Sequence, residues 1–191
     1  MTNNPKGQGH WLLRRANVVV WAGAIFLWLV PLIAMQFSDE VDWTAFDFVL
    51  WAIMLGFVAG GFEIATRLSG SWAYRLGAGV ALGVTFLTIW ANLAVGIIGN
   101  ENNPLNLMFF GVLLTGIVAS VCVLFRPGGM VYAMGITAFA QIVVAVVAQA
   151  QGHNIWPFTI VSALLWAGSA LLFRKAGRTE PSKFGAAENA A

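Results

Sequence analysis

Six long apolar stretches separated by short polar ones set the pattern of this chain. They cover about 16–36, 44–66, 76–98, 105–125, 130–149 and 155–173. A helix needs roughly 20 apolar residues to cross a hydrocarbon core of about 30 Å, so each stretch predicts one crossing. In lipid only helices and closed barrels satisfy every backbone group, and these runs are too long and continuous for barrel strands. The first stretch exceeds a signal-peptide core and lacks a small-x-small cleavage site after it, so it reads as a retained helix, kinked or ended near Pro31. Arg126-Pro127-Gly128-Gly129 reads as the stop after the fourth helix.

Composition agrees with the pattern: 59% of the 191 residues are hydrophobic, 9% are charged, and the mean hydropathy is +0.79. Soluble domains carry about a quarter charged residues, so this chain lacks the surface to face water. The expected fold is therefore all-α, a polytopic membrane bundle of six helices arranged as three hairpins. Residues 1–15 form an N-terminal segment, 16–175 the membrane domain and 176–191 a disordered tail.

Charge adds the topology. Lys6, Arg14, Arg15, Arg67, Arg75, Arg126, Arg174, Lys175, Arg178 and Lys183 all fall in alternate segments. The other three connections hold no lysine or arginine, yet carry Asp39, Glu40, Asp42, Asp47 and Glu101. By the positive-inside rule both termini are expected in the cytoplasm. The lone cysteine, Cys122, lies in an apolar run and permits no intramolecular disulfide.

Polar chemistry concentrates in the stretch Trp90 to Phe110, WANLAVGIIGNENNPLNLMFF. Asn100, Glu101, Asn102, Asn103 and Asn106 bring amide carbonyls and one carboxylate together, a set suited to a cation or a polar headgroup. The same residues equally make a tight turn that caps the next helix. Asn92 lies two turns inside the third predicted helix. WANLAVGII from Trp90 aligns with FAQIVVAVV from Phe139, which sets Gln141 opposite Asn92; LFRPGG from Leu124 aligns with LFRKAG from Leu172. These matches suggest an internal repeat with one amide at equal depth in each copy. Buried amides in lipid lock helices together or line a polar path. Glu63 and Arg67 are spaced i,i+4 in the favourable order, a candidate ion pair at a membrane boundary.

Small residues at four-residue spacing, Gly56 and Gly60, Gly79 and Gly83, Gly116 and Ser120, predict close helix approach in a compact bundle. Trp11, Trp43, Trp72 and Trp156 suit the interface, while Trp21, Trp28, Trp51, Trp90 and Trp166 fall inside membrane segments.

Several classes are disfavoured. His10 and His153 are expected on opposite faces of the bilayer, so they do not jointly ligate zinc or haem, and no histidine falls in a helix to form a dyad with serine. Neither a metal nor another cofactor is expected. The basic residues act as topology signals rather than a nucleic-acid surface.

WANLAVGIIGNENNPLN, the RPGGM turn and the WPF start of the last helix resemble a family of small uncharacterised bacterial inner-membrane proteins. The resemblance covers roughly residues 16–175 and implies an inner-membrane location, with no activity, cofactor or functional residue attached. The expected function is that of a non-enzymatic accessory or scaffold protein, packing in the bilayer against a membrane-protein partner or a second copy. The alternative is a small transporter or channel for a cation or small polar solute, using Asn92, Gln141 and the acidic outer mouth. A lipid-facing enzyme using Glu101 or Glu63 is a third, weaker option.

Overall fold

The computed structural model describes residues 5–38 and 41–179, with side chains from Ala16 onward. Trp11, His10, Asp39, Glu40, Lys183 and tail residues 180–191 therefore lie outside the described residues or side chains. The elements are α1 (Pro5–Ala34), α2 (Ala45–Leu68), α3 (Trp72–Ala94), a single 3-10 turn (Pro104–Asn106), α4 (Leu107–Cys122), α5 (Pro127–Ala150) and α6 (Trp156–Thr179). No strand occurs among the described residues. All six helices, the fourth counted with its 3-10 turn, are long and apolar enough to cross a membrane. The chain is an integral, multi-pass membrane protein.

Helix limits depart from the hydropathy pattern wherever backbone chemistry overrules it. α1 begins within the polar N-terminal segment and runs through Pro31 without stopping. Proline has no N–H, so the carbonyl four residues earlier, Leu27, loses its helical donor. The indole of Trp51 on α2 donates to that carbonyl at 3.0 Å, which keeps the helix intact across the proline. At the other end of the chain, α6 continues past Arg174 and Lys175 to Thr179, four residues into the segment expected to be disordered. Residues 171–179 hold no proline, and the single glycine, Gly177, costs only about 1 kcal/mol, so the ladder runs on to Thr179.

The link between α4 and α5 corrects the expected stop. Pro127 does not end α4; it opens α5 from the first helical position, with Arg126 as N-cap. The turn itself is made by Leu124 (φ 52°) and Phe125 (φ 54°), two consecutive left-handed residues that are not glycine. Such positions cost on the order of 1–3 kcal/mol each and need support. Tyr74 of α3 supplies it by donating its hydroxyl to the Phe125 carbonyl at 2.8 Å. Gly129 is needed for a different reason, since a Cβ there would stand 2.5 Å from Val123 Cβ.

The chain divides after Arg67 into two compact units. In the first, α1 and α2 run antiparallel and are joined by indoles and amides. Trp28 donates to the Phe48 carbonyl at 3.1 Å, and the hydroxyl of Thr66 donates to Asn17 Oδ1 at 3.1 Å. Edge-on ring pairs Trp28–Phe48, Trp43–Phe48 and Trp43–Trp51 continue the contact toward the α1–α2 connection.

In the second unit the spatial order of helices is α3, α6, α5, α4. α6 packs between α3 and α5, and α4 lies against the far side of α5. Consecutive helices α3 and α4 share little helix–helix surface, so the middle hairpin expected from the sequence is an open one, closed chiefly by its asparagine turn. Two contacts fix the α3–α6 register: Ser169 donates to the Gly77 carbonyl at 2.7 Å, and the Tyr74 and Phe173 rings meet edge-on at 5.0 Å. Between α4 and α5, Gly116 faces Thr137 so closely that a Cβ would come within 2.8 Å of its hydroxyl. Near the asparagine turn the core is apolar, built of Ile98, Phe109, Val112, Val144, Ala145, Ala148 and Ile155.

Candidate functional site

The asparagine turn is shaped by an early helix stop. α3 ends at Ala94, four residues before its hydrophobic run does, because Gly96 takes φ 71° and sends its N–H back to the Ala91 carbonyl. The chain then wraps around Asn106, which is buried. Its Oδ1 accepts from the backbone N–H groups of Ile97 and Ile98 at 3.0 and 2.8 Å. Its Nδ2 donates to the carbonyls of Asn100 and Ile98 at 2.6 and 3.3 Å. Its own carbonyl accepts from Asn92 Nδ2 at 3.0 Å, tying α3 to the start of α4.

The remaining turn residues are similarly engaged. Asn103 caps the 3-10 turn by accepting from Leu105 N–H at 3.0 Å, and its Nδ2 lies 3.5 Å from His153 Nε2 in the α5–α6 turn. Asn100 Oδ1 accepts from Asn102 N–H at 3.0 Å, and Asn102 Nδ2 donates to Glu101 Oε1 at 3.1 Å. These oxygens point into the turn's own hydrogen bonds rather than toward a common centre. Among the described residues no group of three or more His, Cys, Asp or Glu side chains could hold a metal ion. The hydrogen bonds of Asn100, Asn103 and Asn106 are those of a built turn.

The interior of α5 and α6 differs. Gln141 is fully buried (0% exposed), yet neither its Oε1 nor its Nε2 makes a hydrogen bond. Trp166 Nε1 and Thr159 Oγ1 on α6 are also buried without partners, as is Asn92 Oδ1. Gly177 sits beside Pro127 and Gly128 at one end of the α5–α6 pair, and Ala150 and Trp156 flank the turn at the other. Interpolating this antiparallel register sets Gln141 and Trp166 level within about two residues, or about 3 Å of rise. Both belong to the buried stripes of their helices: Thr137, Gln141, Val144 and Ala148 on α5, and Thr159, Ser162, Trp166 and Ser169 on α6. The neighbouring hydroxyls bond elsewhere: Thr137 to the Ala133 carbonyl at 2.8 Å, Ser169 to Gly77.

The two amides aligned in the sequence do not stand at one depth. Asn92 is two residues from the end of α3 and Gln141 nine from the end of α5, or about 3 and 14 Å along their axes. The second sequence match fares likewise. Leu124 and Phe125 make the left-handed turn, whereas Leu172 and Phe173 continue α6 as ordinary helix. Similar local sequence thus adopts different backbone, and the aligned segments are not structural equivalents.

In the first unit Glu63 and Arg67 form their ion pair through Oε1 and Nη2. The other carboxylate oxygen of Glu63 accepts from Trp21 Nε1 at 2.9 Å, a partner that spacing within one helix could not reveal. Of the small-residue pairs, Gly116 makes a close helix approach to α5, with Ser120 buried one turn further. At Gly56, Gly60 and Gly83 a Cβ would meet nothing within 4 Å, so these glycines do not serve close helix approach within their own units.

Trp166 is the site residue that sequence reasoning missed. A tryptophan inside a membrane segment is ordinary, and only the register against Gln141 singles this one out. No family model, curated protein or solved structure matches the chain.

Proposed function

We propose that this chain is a bacterial inner-membrane protein with both termini cytoplasmic, non-enzymatic, whose α3–α6 unit takes up a small polar solute as a carrier or channel. The orientation is supported by the placement of all ten lysines and arginines in alternate segments. One observation carries the functional reading: Gln141 is fully buried with both amide atoms unbonded. Burying an amide without partners costs on the order of 1–3 kcal/mol even by mutational measures, and side chains in membrane interiors usually find partners on neighbouring helices. An amide kept in that state has value when something else bonds to it. The asparagine turn, whose Asn100, Asn103 and Asn106 oxygens accept backbone N–H groups, serves in this reading as a structural closure of α3 on α4.

The test is solute flux into proteoliposomes. Wild-type protein is expected to raise uptake of small polar solutes at least tenfold above protein-free vesicles, and Gln141→Leu to return it to background. Equal flux in the two proteins removes the reading.

A second reading, an accessory protein packing against a membrane partner or a second copy, is supported by Gly56 and Gly60. Their empty Cβ positions leave a small-residue face on α2 that α1 does not use. Replacing both by leucine is then expected to abolish a higher-mass species on native gels. Unchanged migration of the double variant argues against assembly through this face.

A further inference from the structure

We propose that the buried polar groups at Gln141 and Trp166 form a binding site for an uncharged solute that both donates and accepts hydrogen bonds, of the small amide or polyol class. The inference rests on the solute reading above and narrows it to a ligand chemistry. Gln141 offers one carbonyl acceptor and two N–H donors, Trp166 one N–H donor, and Thr159 a hydroxyl that does either. Thr159 lies seven residues from Trp166, about 10 Å along α6, so a small molecule carrying a hydroxyl or an amide answers Gln141 and Trp166 together while Thr159 stands outside its reach.

Ions answer them badly. The buried side chains of α3 to α6 that carry a polar group are Thr, Ser, Asn, Gln, Trp and Tyr; no Asp, Glu, Lys or Arg is among them. A cation such as Ca²⁺ takes six or more oxygens, whereas this site offers one unengaged side-chain oxygen, Gln141 Oε1. An anion would meet donors but no compensating positive charge, and would face the Gln141 carbonyl. The apolar layer of Phe109, Val112, Val144 and Ala145 toward the asparagine turn raises the cost of bringing any net charge to this depth.

The experiment compares thermal midpoints of wild type, Gln141→Leu and Trp166→Phe, purified in one mild detergent. Each is titrated with acetamide, glycerol, potassium chloride or potassium formate at matched osmolality. Subtracting the Gln141→Leu response removes the general effect of each additive on the protein and micelle. Acetamide or glycerol is expected to raise the wild-type midpoint by roughly 3–6 °C over the variant at about ten times its dissociation constant. Trp166→Phe keeps the packing, loses one donor, and is expected to shift at least threefold less at the same concentration. A wild-type-specific shift with chloride or formate alone overturns the uncharged class. No wild-type-specific shift with either neutral probe overturns the site, including the case in which water alone fills it. A neutral-solute shift with background flux in proteoliposomes supports the site while removing the transport reading.

Discussion

Asn106→Ala is expected to lower the thermal midpoint of the detergent-solubilised protein by roughly 6–16 °C, taking a loss of about 3–4 kcal/mol at about 2–4 °C per kcal/mol. The reasoning counts groups left behind. The carboxamide accepts from two consecutive N–H groups, Ile97 and Ile98, and donates to the carbonyls of Asn100 and Ile98. Alanine removes all four bonds. Ile98 is fully buried, so its N–H has no route to water. An unsatisfied buried donor costs about 1–3 kcal/mol, more than the net value of the bond it made. Asn92 adds to the loss, because its Nδ2 holds the Asn106 carbonyl only while the turn keeps its shape.

Asn106→Asp separates the two halves of this effect. It keeps the acceptor for Ile97 and Ile98 but removes the donor to both Asn100 and Ile98 and sets a carboxylate oxygen against their carbonyls, so its midpoint is expected below wild type. Asn102→Ala is the control: Asn102 is exposed and bonds Glu101 at the surface, and its loss is expected to stay within about 0.5 kcal/mol. If Asn106→Ala melts within 2 °C of wild type, the turn is not held by this side chain and the closure of α3 on α4 lies elsewhere.

The sequence made the membrane class legible because length and apolarity of six runs are enough to state it. It also placed Glu63 against Arg67, since i,i+4 spacing on one helix is a local property. What it hid are relations across elements. Hydropathy carried α3 on through Val95, Ile97 and Ile98, all apolar, but one left-handed glycine at Gly96 ended the helix four residues sooner. That shift moved Asn92 from a presumed interior position to the helix end and turned a candidate site residue into a clamp on Asn106. By composition the RPGG motif reads as a stop, yet the left-handed residues are Leu124 and Phe125, sustained by Tyr74, 51 residues before Phe125. Gln141 was visible as an amide in an apolar run. Its lack of partners was not, because that depends on which faces of α4 and α6 surround it.

Gln141→Leu is expected to do the opposite of Asn106→Ala: raise the midpoint in the absence of solute by roughly 2–12 °C, while flux falls to background. The two side chains are both buried amides, and the difference lies in what each is bonded to. Asn106 makes four side-chain hydrogen bonds, so its removal strands its partners. Gln141 makes none, so its removal strands nothing and ends the desolvation cost of the amide itself, about 1–3 kcal/mol. Leucine fills nearly the same volume between Thr137 and Val144 and has the better helix propensity. A gain in stability joined to a loss of function is the signature of a residue retained for a ligand rather than for the fold. Midpoints measured without added solute, beside flux in the same two preparations, decide the matter. A lowered midpoint in Gln141→Leu means the amide is bonded within the folded protein and holds the bundle together. A raised midpoint with unchanged flux means the amide is not part of the solute path.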